Sequence, residues 1–142
     1  MSGVKNMWGE LPKSEELPDL PIKVLKEQGS LLTEATDGTL IGEVAVLNGD
    51  SSKFRAALRI KAPSLNNYIF SILQIEYPLM IYPVEIVDQT VNRRSTCKNL
   101  EEYEERLETI LSSDKVKSVI TALLAQISAN SSLEEAYESI GR

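Results

Sequence analysis

The stretch KFRAALRIKA, Lys53 to Ala62, decides how the whole chain is read. Phe54, Ala56, Leu58 and Ile60 alternate there with Arg55, Ala57, Arg59 and Lys61. A period of two is the signature of a strand, whose successive side chains point to opposite faces. One face of this strand is apolar and the other basic. It therefore predicts a sheet that is buried on one side and wet on the other.

The same period continues on both sides. Strands are expected at 39–47, 53–62, 68–77 and 80–88. Asn48-Gly49-Asp50 is a strong turn signal, and the loop Pro63-Ser64-Leu65-Asn66-Asn67 ends in two residues that tolerate positive φ. Connections this short require antiparallel neighbours. Pro83 cannot donate to a ladder, so the fourth strand is expected at an edge or with a bulge. Residues 89–98, QTVNRRSTCK, form a polar basic link with room for a short fifth strand.

Outside the sheet the period changes to that of a helix. Ile22, Leu25, Gly29, Leu32 and Ala35 make one stripe over 20–36, with Asp19 as the expected cap and Asp37-Gly38 as the stop. Gly29, mid-helix, suits close packing on the sheet. Asn99 and Glu102 form a capping-box pattern ahead of Tyr103, Leu107 and Ile110. Ser112-Ser113-Asp114 restarts a helix with the stripe Val116, Val119, Ile120, Leu123, Leu124 and Ile127. Asn130-Ser131-Ser132 reads as its end, followed by a last short helix capped by Ser132 with Glu135. The expected architecture is α+β: an antiparallel meander of four or five strands, with an N-terminal helix and two to three C-terminal helices packed on one face. Residues 1–19 read as an extended, proline-containing arm, and residues 20–142 as one domain. The helices are expected to bury Phe54, Leu58 and Ile60.

Composition narrows the chemistry. The chain has 142 residues, no His and one Cys. Lacking His, it has no Ser-His or Cys-His nucleophile pair, and a zinc site built on His and Cys is close to excluded. No catalytic residue, metal or cofactor is assigned. A single Cys forbids an internal disulfide and suits a reducing compartment. No segment reads as a signal peptide or a membrane span, so the expected location is the cytoplasm.

Charge is unevenly distributed. Residues 1–50 carry four Lys or Arg against nine Asp or Glu, residues 51–98 seven against three, and residues 99–142 four against nine. A basic sheet lies between acidic flanks. Arg55, Arg59 and Lys61 on one strand face, with Arg93 and Arg94 from the link, are the candidate ligands for a small anion such as a nucleotide. Duplex nucleic acid is disfavoured, because an acidic chain repels the polymer. The simplest account leaves the row solvated. Cys97, among Arg93, Arg94 and Lys98, is considered as a reactive thiol, but a plain surface or edge-strand cysteine is the simpler reading. Glu76 and Glu85 are considered as an acid–base pair.

Trp8, the only Trp, sits in the arm. The simpler expectation is that the arm folds back and buries it. The alternative is an anchor for another chain, since Trp is enriched at interface hot spots. Tyr68 and Tyr82 are further candidates for partner contact. The function expected overall is a non-enzymatic module acting through protein–protein contact, in the manner of immunity proteins, antitoxins, adaptors or inhibitors of host defence. Homo-oligomerisation through the edge near Pro83 is a further possibility. The alternatives are a binder of a small anionic ligand, and a histidine-free enzyme.

Overall fold

Alternation at Lys53–Ala62 does produce a strand, and it lies next to one edge of a five-stranded antiparallel sheet ordered as in the sequence. The computed structural model describes residues 3–48 and 52–140, the last nine of these by backbone alone. The elements are α1 (Pro21–Ala35), β1 (Ile41–Leu47), β2 (Lys53–Ala62), β3 (Tyr68–Pro78), β4 (Val84–Asp88), β5 (Arg93–Cys97), α2 (Leu100–Leu111) and α3 (Asp114–Ile140). The predicted turn at Asn48-Gly49-Asp50 runs outside the described residues from Gly49 onward.

All three helices cover one face. Ala56, Leu58 and Ile60 of β2, Leu73 and Ile75 of β3, and Val84 and Ile86 of β4 point into the core. Leu25 of α1, Tyr103 and Leu107 of α2, and Val116 and Leu123 of α3 meet them from above. Between the Leu58–Leu73 and Arg59–Ser71 pairs, β3 carries one extra residue. That residue, Ile72, is buried beside Leu73, so the bulge turns two consecutive side chains inward.

Phe54 departs from expectation. It lies on the helix-side face, yet 51% of it is exposed. The roof stops short of that end of the sheet, and Phe54 stacks instead on Tyr77, with ring centroids 5.7 Å apart. Val46, Leu79 and Met80 are exposed at the same end.

Four further expectations are corrected. Pro83 precedes β4, which begins at Val84, so its missing N–H costs the ladder nothing. β4 lies between β3 and β5 and is not an edge; the edges are β1 and β5. Asp19 does not cap α1: Leu20 holds the cap position with no side-chain bond, and Asp19 pairs with Lys23 at 3.0 Å. The expected break at Asn130-Ser131-Ser132 does not form: α3 runs unbroken through those residues, so two of the two to three expected C-terminal helices are present. Each of those residues costs a helix only a few tenths of a kcal/mol against better formers, and no Gly or Pro joins them.

Gly29 does what its position suggested. A Cβ there would lie 2.8 Å from the Gly42 carbonyl oxygen, so α1 and β1 touch backbone to backbone. Thr33 fastens the contact: its hydroxyl donates to the Gly29 carbonyl at 3.1 Å and accepts from the Gly42 N–H at 2.9 Å. The Thr36 hydroxyl bonds both the N–H and the carbonyl of Leu40. The N–H groups of Leu40 and Gly42 belong to alternate residues, so they emerge on one side of the strand, the outer one. Two helix threonines thus satisfy the first half of the β1 edge. The second edge, β5, presents exposed Arg93 and Arg94.

Tyr103 ties the roof to the chain's entry point. It is fully buried, and its hydroxyl donates to the Pro21 carbonyl at 2.7 Å. Asn99 caps α2 by accepting from the Glu102 N–H at 2.9 Å. The Glu102 carboxylate returns to the Lys98 N–H, one residue before the position of an ideal capping box.

Candidate functional site

The open face of the sheet carries the residues that alternation placed there: Arg55, Arg59 and Lys61 of β2, beside Glu43 of β1 and Gln74 and Glu76 of β3. Ala57, between the two arginines, has no exposed surface. The long neighbouring stems therefore lie across the sheet.

Arg55 is already engaged. Its guanidinium meets Glu76 at 3.4 Å, donates to the Gln74 side chain at 3.3 Å, and donates to the Asn48 carbonyl at 3.3 Å. Lys53 meets the same Glu76 carboxylate at 3.3 Å. Glu76 stands directly opposite Glu85 across the β3–β4 pair, an arrangement that repels. Cations relieve it on both sides, because Arg94 of β5 reaches Glu85 at 3.7 Å. The two carboxylates that suggested acid–base work do share a face. Each is matched with a cation, as in a surface ion-pair strip.

The five cations proposed as anion ligands do not converge. Arg94 shares the open face with β2 but lies three strands away, about 14 Å at ordinary strand spacing. Arg93 alternates onto the opposite face, in register with Asp88. Arg59 and Lys61 form no ion pair with any other described residue.

Cys97 is buried, not a surface thiol. Burial pushes it above the usual thiol range; Arg106 opposes that shift and Glu102 adds to it. The nearby Arg93, Arg94 and Lys98, which suggested activation, are not among the charges acting on it. Among the described residues, no three His, Cys, Asp or Glu side chains come together as a metal site.

Trp8 is 81% exposed, so the arm does not bury it in its own domain. Val4, Met7, Leu11 and Leu17 of the arm are exposed with it. Tyr68 begins β3 and is half exposed, at the opposite end of that strand from Tyr77. Tyr82 is partly buried against the core, where burial raises its phenol pKa and Glu104 and Cys97 add to the effect. Trp8, Tyr68 and Tyr82 therefore do not form one patch.

A feature that sequence reasoning missed lies in the roof. Between α1 and α2 runs a cleft of about 480 Å³, lined by Val24, Gln28, Leu107 and Leu111, with Glu104 and Glu108 at its rim. Gln28 and Leu111 also line a second hollow of about 240 Å³ that reaches down between α1 and α3 to Leu58 and Ile72. The first cleft is mixed, with Gln28, Ser112 and the two glutamates among its lining, and the deeper hollow is mainly apolar. Period and capping locate each helix, but neither says how far apart two helices lie.

Among the described residues, no helix is long and apolar enough to cross a membrane. Compared with protein-family models, with curated proteins and with solved structures, the chain matches none of them.

Proposed function

We propose that the protein is a non-enzymatic binding module that acts by contact with another protein, with its N-terminal arm as the anchor. The observation that carries this reading is the exposure of Trp8 together with Val4, Met7 and Leu11, while the domain closes its core without them. Exposed apolar side chains concentrated in one segment mark an interaction element, and Trp is the side chain most often found at the centre of one. The open sheet face supports the reading indirectly, since its ion pairs occupy Arg55 and Arg94. A single free thiol suits work in a reducing cytoplasm.

The test is to place a photo-crosslinking residue at position 8 in cells that make the protein, with position 30, exposed on α1, as the control. A discrete adduct from position 8 alone is expected. Equal, diffuse labelling from both positions would refute the arm as an anchor. A melting-temperature rise of several degrees with nucleotides, abolished by Arg59→Ala with Lys61→Ala, would instead favour a small-anion binder.

A further inference from the structure

We propose that the hollow between α1, α3 and the sheet is a binding site for the hydrocarbon tail of a small cationic amphiphile, a primary alkylamine, whose protonated head lies in the adjoining cleft against Glu104 and Glu108. The site is separate from the arm and needs no contact from it.

Size and lining are the first argument. The hollow has a volume of about 240 Å³, with Leu58 and Ile72 deep within it and Leu31, Leu32, Val116 and Ile120 around it. Ile72 is there because the β3 bulge turns it inward beside Leu73. Gly29 and Gly42 also border the space and contribute no side chain to fill it. Arg59 borders it from β2, but its side chain belongs to the open face of the sheet. Gln28 is then the one polar side chain at hand among the described residues. A water molecule needs two to four polar partners, so this lining suits hydrocarbon. A cavity of about 150 Å³ accepts the six carbons of benzene, which scales to roughly eight to ten carbons here.

Shape favours a chain over a ring. Gln28 and Leu111 line both the hollow and the cleft of about 480 Å³, so the two adjoin. Among the described residues no aromatic side chain borders either, so a ring finds no stacking partner. A flexible chain passes from one space into the other. Their combined size falls within the ~300–1,000 Å³ of small-molecule sites, which join apolar walls to a few polar groups that fix orientation.

Charge selects the head. Glu104 and Glu108 line the cleft one helical turn apart, where like charges repel. Among the described residues, no Lys or Arg forms an ion pair with either. A cation between them relieves the repulsion, whereas a carboxylate head would add to it. Gln28 and Ser112 offer an ammonium further acceptors. An alkylamine, like a lysine side chain, is protonated at neutral pH.

The experiment titrates the full chain with octylamine, octanol and octanoate, which share a tail and differ in the head. Methyl-resolved NMR and the melting temperature are read on the same samples. Octylamine should bind saturably at one site, with the largest shifts at the Ile72, Val116 and Ile120 methyls and a melting temperature raised by several degrees at saturation. Octanol should bind about fivefold more weakly, the worth of two partly exposed ion pairs, and octanoate more weakly still. Leu31→Phe, at an exposed position beside the hollow, should weaken octylamine and octanol alike by about tenfold, the worth of two displaced methylenes, with the fold intact. Glu104→Gln with Glu108→Gln should bring octylamine to the affinity of octanol and leave octanol unchanged. Octanoate binding as tightly as octylamine overturns the inference. So do shifts centred on Val46, Leu79 and Met80, at the exposed apolar end of the sheet. No saturable shift at millimolar octylamine overturns it as well.

Discussion

Replacing Gly29 by Ala separates two physical effects that act in opposite directions. On an exposed helix the change would stabilise by about 1 kcal/mol, because Ala restricts the unfolded chain and suits the helix better. Here the new methyl would stand 2.8 Å from the Gly42 oxygen and 3.0 Å from its carbonyl carbon. Both are backbone atoms of β1, and Thr33 holds that strand against α1. Relief therefore requires the helix to lift from the sheet, an overpacking cost of about 2–3 kcal/mol. The net expectation is a loss of about 1–2 kcal/mol. At about 2.1 cal/mol/K of unfolding entropy per residue, that lowers the melting temperature of this chain by roughly 3–7 °C. Differential scanning calorimetry reads it directly, with Ser30→Ala on the exposed side of α1 as the propensity control. Gly42→Ala should cost at least as much. The double variant should cost less than the sum, because a helix already lifted admits the second methyl more easily. A melting temperature that rises for Gly29→Ala would refute the backbone contact.

Tyr103→Phe removes one buried hydrogen bond to the Pro21 carbonyl, which keeps its helical partner within α1, and should cost about 0.5–1.5 kcal/mol in urea unfolding. Burial raises the Tyr103 phenol well above its ordinary range, with Tyr77, Tyr82 and Cys97 adding to the shift. The folded state therefore holds that proton more tightly than the unfolded state, so its contribution is complete below about pH 10 and is lost as pH climbs beyond. Alkaline unfolding above about pH 10, followed by circular dichroism, should be less steep in Tyr103→Phe. Asn99→Ala should cost about 1 kcal/mol through loss of the α2 cap, whereas Asp19→Ala, which removes only an exposed ion pair, should leave the urea midpoint unchanged in the same assay.

Alternation at Lys53–Ala62 carried most of the architecture, because period two in a chain with short connections leaves few arrangements open. The capping residue Asn99 and the stop at Gly38, with φ 78°, were legible for the same reason: each rests on local chemistry. The errors came where tertiary context decides. Nothing local tells that the roof ends before Phe54, or that Pro83 falls just outside a strand. Asn130, Ser131 and Ser132 are weak breakers, and a helix already nucleated upstream runs through them. At the open face, alternation placed Arg55, Arg59 and Lys61 together, but cross-strand register paired Arg55 with Glu76 and set Arg94 too far away to join them. The roof cleft was invisible to pattern reading because it lies between elements rather than along one.

The two threonine hydroxyls on the outer border of β1 bear on how the molecule behaves when crowded. Leu40 and the Gly42 amide have their partners inside the molecule, so only Val44 to Leu47 present a main chain to a stranger. At the far border, Arg93 and Arg94 set like charges against any sheet that tries to join there. Of the two borders, the short open stretch of β1 is thus the one place where a further ribbon could be added to this sheet.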